Sequence, residues 1–218
     1  ISSDDFSNDN FKFATAKFIK INDIEVWAQR ISYVGELGFE LYVKKKNAEK
    51  LFDILVDKGK TYKISLCGMH AMDIMRMESG YLHWGHDISP EENQFEAGLS
   101  FAVSFKKNIN FIGRAALEKK RDKKNHKKFK MLILNNSKEG APLLLHDEPI
   151  YLKDKIVGRT TSGCYSFNYN KNLAFGYINS GLSSDQIDKQ AFEIEVEKKK
   201  YSASVITKPL NDKKLSSL

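Results

Sequence analysis

Six short apolar runs crowd the second half of this 218-residue chain: Phe129–Leu134, Pro149–Leu152, Ile156–Ser162, Leu173–Ile178, Phe192–Val196 and Tyr201–Ile206. Gly, Asn, Asp and Pro separate them at close intervals. Runs this short, broken by turn residues, bury their apolar faces by pairing edge to edge, so the pattern predicts a small all-β, barrel-like domain. Only Ser184–Gln190 offers a helix-like stretch there.

The first half reads differently. Phe11–Lys20 and Ile24–Tyr33 mix β-branched and aromatic residues around an Asn22-Asp23 turn, which predicts a hairpin. Gly38–Val43 predicts a further strand, reached through a tight turn, Gly35-Glu36-Leu37-Gly38. Asn47–Lys58, Met69–Glu78 and Arg114–Arg121 carry helix-like spacing, with Gly59 and Gly80 as stops, and Phe101–Phe105 reads as a strand. Between the halves lies Lys119–Lys130, a run of like charges that repel one another and stay solvated. The expected fold class is α+β: an antiparallel sheet with helices, followed by a small all-β barrel-like C-terminal domain. The expected division is an α+β domain over 1–118, a basic linker over 119–130 and the barrel over 131–218.

Composition narrows the partners. No apolar run approaches the roughly 20 residues that span a bilayer, so no membrane partner is expected. The net charge is +7, but only Arg30, Arg76, Arg114, Arg121 and Arg159 of the 35 basic residues are arginine. A surface that reads bases or forks phosphates leans on arginine, so nucleic acid is not the expected partner. A polyanionic small ligand would gain from the positive field. Cys67 and Cys164 lie far apart, which points to a reducing, cytoplasmic setting, and Cys67 reads as a small buried hydrophobe. The chain opens without Met or a signal pattern, so it is expected to be a fragment, a processed chain or one that starts mid-protein.

Five residues are candidates for holding a ligand. Glu36, flanked by glycines, is either an exposed turn acid or a carboxylate aimed into a cleft, where it would accept two parallel hydrogen bonds from an amidine-like edge. Tyr33, Tyr81 and Trp84 offer flat faces for an aromatic ligand. Arg76 reads equally as the partner of Asp73 on its own helix or of a ligand carboxylate. His83, His86 and Asp87 have metal-donor chemistry, but Trp84-Gly85 implies a turn between them, so no metal is expected. Ser162 lacks a His/Asp context for a nucleophile.

Tyr33–Glu40, Met75–Ile88, Phe95–Leu99, Phe111–Leu117, Thr161–Cys164 and Leu173–Ile178 together resemble, in order and spacing, the aminomethyltransferase (glycine cleavage T-protein) family. The Trp84-Gly85-His86-Asp87 form is nearer the folate domain at the end of dimethylglycine and sarcosine dehydrogenases. The resemblance implies a folate pocket in which Glu36 holds the pterin, and transfer of a one-carbon unit from an aminomethyl or iminium group to tetrahydrofolate. It implies a small methylated amine or aminomethyl donor as partner, and a lipoyl carrier protein on the T-protein branch. FAD would belong to a missing N-terminal domain, since no Gly-x-Gly-x-x-Gly is present. The family's catalytic aspartate lies upstream of the matched stretches, so the catalytic residue is unknown. Met72 stands where T-proteins often carry Arg, and Gln94-Phe95 replaces the usual Pro-Leu. The alternative is a folate-binding module without transfer activity, serving regulation or RNA modification.

Overall fold

The structure, a computed structural model, describes residues 1–121, 126–136 and 138–213. They form two compact units, residues 1–75 with those from 212 onward, and residues 76–211.

The first unit is built on a three-stranded antiparallel meander, β1 (Ala16–Ile21), β2 (Ile24–Gln29) and β3 (Glu40–Tyr42), with helix α1 (Ala48–Gly59) after it. Asn22, in the left-handed region at φ 50°, closes the β1–β2 hairpin. Alternate residues Ile24, Val26 and Ala28 point into a core shared with Phe11, Ile19, Ile21 and Leu51. The first strand is shorter than expected. Ala14 sits at φ 62°, which breaks the extended run, and Phe11 enters the core from a loop. The stretch after Gln29 also leaves the sheet. Instead of a strand and a tight turn, residues 30–39 form a long loop before β3 pairs back onto β2. Arg30 itself still exchanges backbone hydrogen bonds with Ala14 and Thr15 at 2.9 and 3.0 Å, and its buried guanidinium binds the Phe11 carbonyl at 2.5 Å and the Asn8 side chain, so the loop departs after this residue.

Helix α2 (Met69–Glu78) runs across the boundary of the two units. In the second unit, α3 (Arg114–Arg121) precedes β4 (Lys128–Leu134), β5 (Pro149–Leu152), β6 (Lys155–Ser166), β7 (Lys171–Ile178), the short α4 (Ser184–Ile187), β8 (Ala191–Val196) and β9 (Lys199–Ile206). The six strands close an antiparallel barrel in the order β4-β7-β6-β5-β8-β9. Leu132, Leu134, Leu144, Ile150, Ile178, Phe192 and Ile194 fill its interior. The α+β reading and the barrel therefore hold. Phe101–Phe105 is not a strand but a single helical turn, Ser100–Ala102, followed by a loop. Arg114 takes the carbonyls of Phe105, Lys107 and Ile109 at 2.9–3.1 Å, which holds the loop without a neighbouring strand. The charged stretch 119–130 begins inside α3 and ends inside β4, and residues 122–125 lie outside the described residues.

Candidate functional site

The first unit presents Glu36 on the loop 30–39. The Ser32 hydroxyl accepts hydrogen bonds from the backbone N–H groups of Val34 and Glu36, both at 3.3 Å, which folds the loop back on itself. Gly35 adopts φ 74°, a conformation that favours glycine. The Glu36 side chain is 40% exposed, and both its oxygens accept from the Lys213 ammonium, at 2.8 and 3.1 Å. A recess lined by Phe13, Arg30, Ser32 and Glu36 lies beside it, too small for a water-sized sphere. Tyr33 is half-buried on the same loop. Glu40 accepts from the Tyr42 hydroxyl at 2.6 Å, and that bond pushes the Tyr42 phenol up.

The second unit holds Arg76, Tyr81 and Trp84. Arg76 is 2% exposed. Its Nη1 donates to Asp87 Oδ2 at 2.5 Å and to the Tyr81 carbonyl at 3.1 Å, and its Nη2 donates to Ser162 Oγ at 2.8 Å. The guanidinium lies 5.4 Å from the Phe175 ring centre. The sequence offered Asp73 or a ligand carboxylate as partners; the structure adds Asp87, eleven positions along the chain. Asp87 has no exposed surface. It also accepts from Thr161 Oγ1 at 2.5 Å, Ser162 Oγ at 2.8 Å and the His83 N–H at 2.9 Å, while its own carbonyl accepts from the Tyr177 hydroxyl at 2.8 Å. This ties α2, the loop 81–88, β6 and β7 into one polar cluster.

The loop that Asp87 anchors carries Tyr81, half-buried with its phenol pushed up by burial, and Trp84, which is exposed. The rings of His83 and His86 lie with centres 4.6 Å apart, tilted by 45°. The Asp87 carboxylate faces the Arg76 cluster, so it does not complete a triad with the histidines. Among the described residues no group of three or more His, Cys, Asp and Glu is placed to hold a metal. A cavity of about 700 Å³ opens beside the loop, with His86, Glu92, Lys127, Arg159 and Tyr177 in its wall. Cys67 is exposed, against the expectation of burial, because it falls in an irregular stretch before α2; Cys164 is buried in β6.

Sequence reasoning missed Thr161, Lys213 and the pairing of Glu78 with Ser166 and Asn168 at 2.7 and 2.9 Å. These pairs span about 75 to 180 positions, so no local pattern marks them. The one available signal was the presence of both Asp87 and Thr161-Ser162 in the stretches that carry the family resemblance.

A small antiparallel sheet with helices, followed by a closed six-stranded barrel, defines an α+β protein. The sequence descriptions of two domains match it: the GCVT N-terminal domain over residues 1–107 and the glycine cleavage T-protein C-terminal barrel domain over residues 127–212. The chain belongs to the glycine cleavage T-protein family. It is 37% identical over 213 residues to dimethylglycine dehydrogenase, mitochondrial, of Homo sapiens, covering 96% of this chain and 24% of that protein. It is 30% identical over 205 residues to the aminomethyltransferase of Listeria welshimeri, covering 94% of this chain and 53% of that one. The crystal structure of glycine cleavage system aminomethyltransferase T from Bartonella henselae shares the fold, with a TM-score of 0.77, 22% identity, and coverage of 93% of this chain and 53% of that one. The chain thus spans about a quarter to a half of the length of these relatives.

Proposed function

We propose that this chain is the folate-binding part of an enzyme that transfers a one-carbon unit from an aminomethyl or iminium donor to tetrahydrofolate. Family membership supports the reaction class, and the relatives named as aminomethyltransferases and dimethylglycine dehydrogenases bracket the donor as a small aminomethyl compound or methylated amine. The observation that carries the reading to particular atoms is Glu36: a half-exposed carboxylate, braced by Ser32, whose two oxygens face one nitrogen cation. That arrangement fits the 2-amino-pyrimidinone edge of a pterin, which offers two parallel N–H donors. The recess beside Glu36 cannot itself house a ring system, so Glu36 acts as an anchor for one edge. Tyr33, on the same loop as Glu36, is assigned to stacking against an aromatic part of the ligand, while Tyr81 and Trp84 are kept as aromatic faces of the second unit alone. Within the second unit, Arg76 fixes the loop 81–88 through Asp87 and the Tyr81 carbonyl. Bound tetrahydrofolate supplies the nucleophilic nitrogens that accept the one-carbon unit. The protein's share is to hold the partners together and to keep water from a labile iminium. No flavin site is assigned to this chain.

Calorimetry with tetrahydrofolate under anaerobic conditions tests the anchor. Glu36→Ala is expected to weaken binding by about 2 kcal/mol or more, roughly thirtyfold, since two charge-assisted hydrogen bonds are lost. Equal affinity of the two proteins would make Glu36 a turn acid and remove the support for this site.

A further inference from the structure

We propose that Lys213 is a displaceable latch on Glu36, and that it restricts this anchor to ligands presenting two parallel donors. The inference rests on Glu36 being the ligand anchor and adds a competitor built into the chain. Lys213 lies beyond the last barrel strand, in the segment from residue 212 that belongs to the first compact unit. Its ammonium is within hydrogen-bond distance of both Glu36 oxygens, 2.8 and 3.1 Å. One nitrogen that reaches both oxygens sits in the mouth of the carboxylate fork. An amidine-like edge places its two N–H groups in that same mouth, so cation and ligand cannot occupy it together. The ligand must expel Lys213 before it can bind.

The latch is weak enough to yield. Its side chains are 52% and 40% exposed, so water and salt screen the pair. It is nevertheless always present, because the competitor is tethered to its site and acts at a high effective concentration. A ligand with a single donor would replace one charge-assisted contact by another of similar kind and gain little. A ligand with two aligned donors exchanges a single mobile cation for a fixed pair of bonds. The latch therefore favours the forked ligand over simple amines at Glu36.

The experiment is anaerobic calorimetry with tetrahydrofolate on wild type, Lys213→Ala, Lys213→Arg and Glu36→Gln, at low salt and at about 0.5 M salt. Removing the ammonium is expected to tighten binding about two- to fivefold at low salt, in line with an exposed ion pair, and the gain should shrink at high salt. Lys213→Arg, which keeps the charge and brings its own fork, should bind no tighter than wild type. Equal or weaker binding by Lys213→Ala overturns the latch, weaker binding making Lys213 a ligand contact instead. If wild type does not bind, binding gained by Lys213→Ala supports the latch, and no binding by either overturns it. Glu36→Gln separates the two ideas: if it binds like wild type, the anchor itself fails, whereas loss of binding with an unchanged Lys213→Ala affinity fails the latch alone.

Discussion

A carboxylate with no exposed surface needs its lone pairs met from within the protein, and Asp87 meets them with Arg76, Thr161, Ser162 and the His83 N–H. Deleting it strands a buried guanidinium. Asp87→Ala is expected to cost about 3–5 kcal/mol in urea unfolding, the range for breaking a buried pair by removing one partner. The double change Arg76→Met with Asp87→Leu removes both charges and should recover most of that loss. A single change costing under 1 kcal/mol would show that the guanidinium finds other acceptors. The sequence made Asp87 visible for the wrong reason, as a third donor beside His83 and His86. Two of its partners, Thr161 and Ser162, lie 74 and 75 residues away on β6, so no local pattern announces them. The glycine before Glu36 marks a special backbone conformation, found at Gly35, whereas the lysine that Glu36 binds, 177 positions on, has no local signal.

Local grammar fixed some elements closely. Helix α2 spans Met69–Glu78 as its apolar spacing and the Gly80 stop imply, and β5 spans Pro149–Leu152. Where a distant group takes over the backbone, the grammar fails. Arg114 takes the carbonyls of Phe105, Lys107 and Ile109, and the chain from the end of the expected strand onward runs as a loop. Gly163 in β6 is a second case. A Cβ there would stand 2.5 Å from Leu144 Cβ and 2.7 Å from the Leu144 backbone carbon, so the glycine exists for the close passage of another chain segment. Gly163→Ala must push Leu144 out of the barrel core. It is expected to lower stability by about 1–3 kcal/mol, read as a fall in the thermal midpoint. An unchanged midpoint would mean that Leu144 shifts freely and that the packing here is loose.

The closed barrel reflects strand count and spacing, which the sequence displays, but also the pairing of β4 with β9, Leu132 opposite Val205, which it does not. Closure gathers charges from distant segments around Tyr177 and gives the whole protein two pH limits. Burial alone would raise the Glu92 carboxyl; hydrogen bonds from Lys127 and Ser89 outweigh it and hold Glu92 below its ordinary value of 4.5. A depressed acid stabilises the fold above its unfolded value, and that contribution is lost as pH falls from about 4.5 through the folded value. Tyr177 works in the opposite sense. Burial, reinforced by Glu92, Asp87 and Glu96, raises its phenol above the ordinary 10.0. Its neutral, hydrogen-bonded form stabilises the fold fully below pH 10, and the contribution drains away as pH climbs toward the raised value. Thermal midpoints measured from pH 3 to 11 should therefore fall at both ends. Glu92→Gln should flatten the acid limb and leave the alkaline one, while Tyr177→Phe should flatten the alkaline limb. Each variant is also expected to lose some stability near pH 7, since each breaks a hydrogen bond. Parallel curves for wild type and both variants would show that neither group governs its limb. The acid loss would then belong to exposed carboxylates such as Asp147, which His146 and Arg159 hold down.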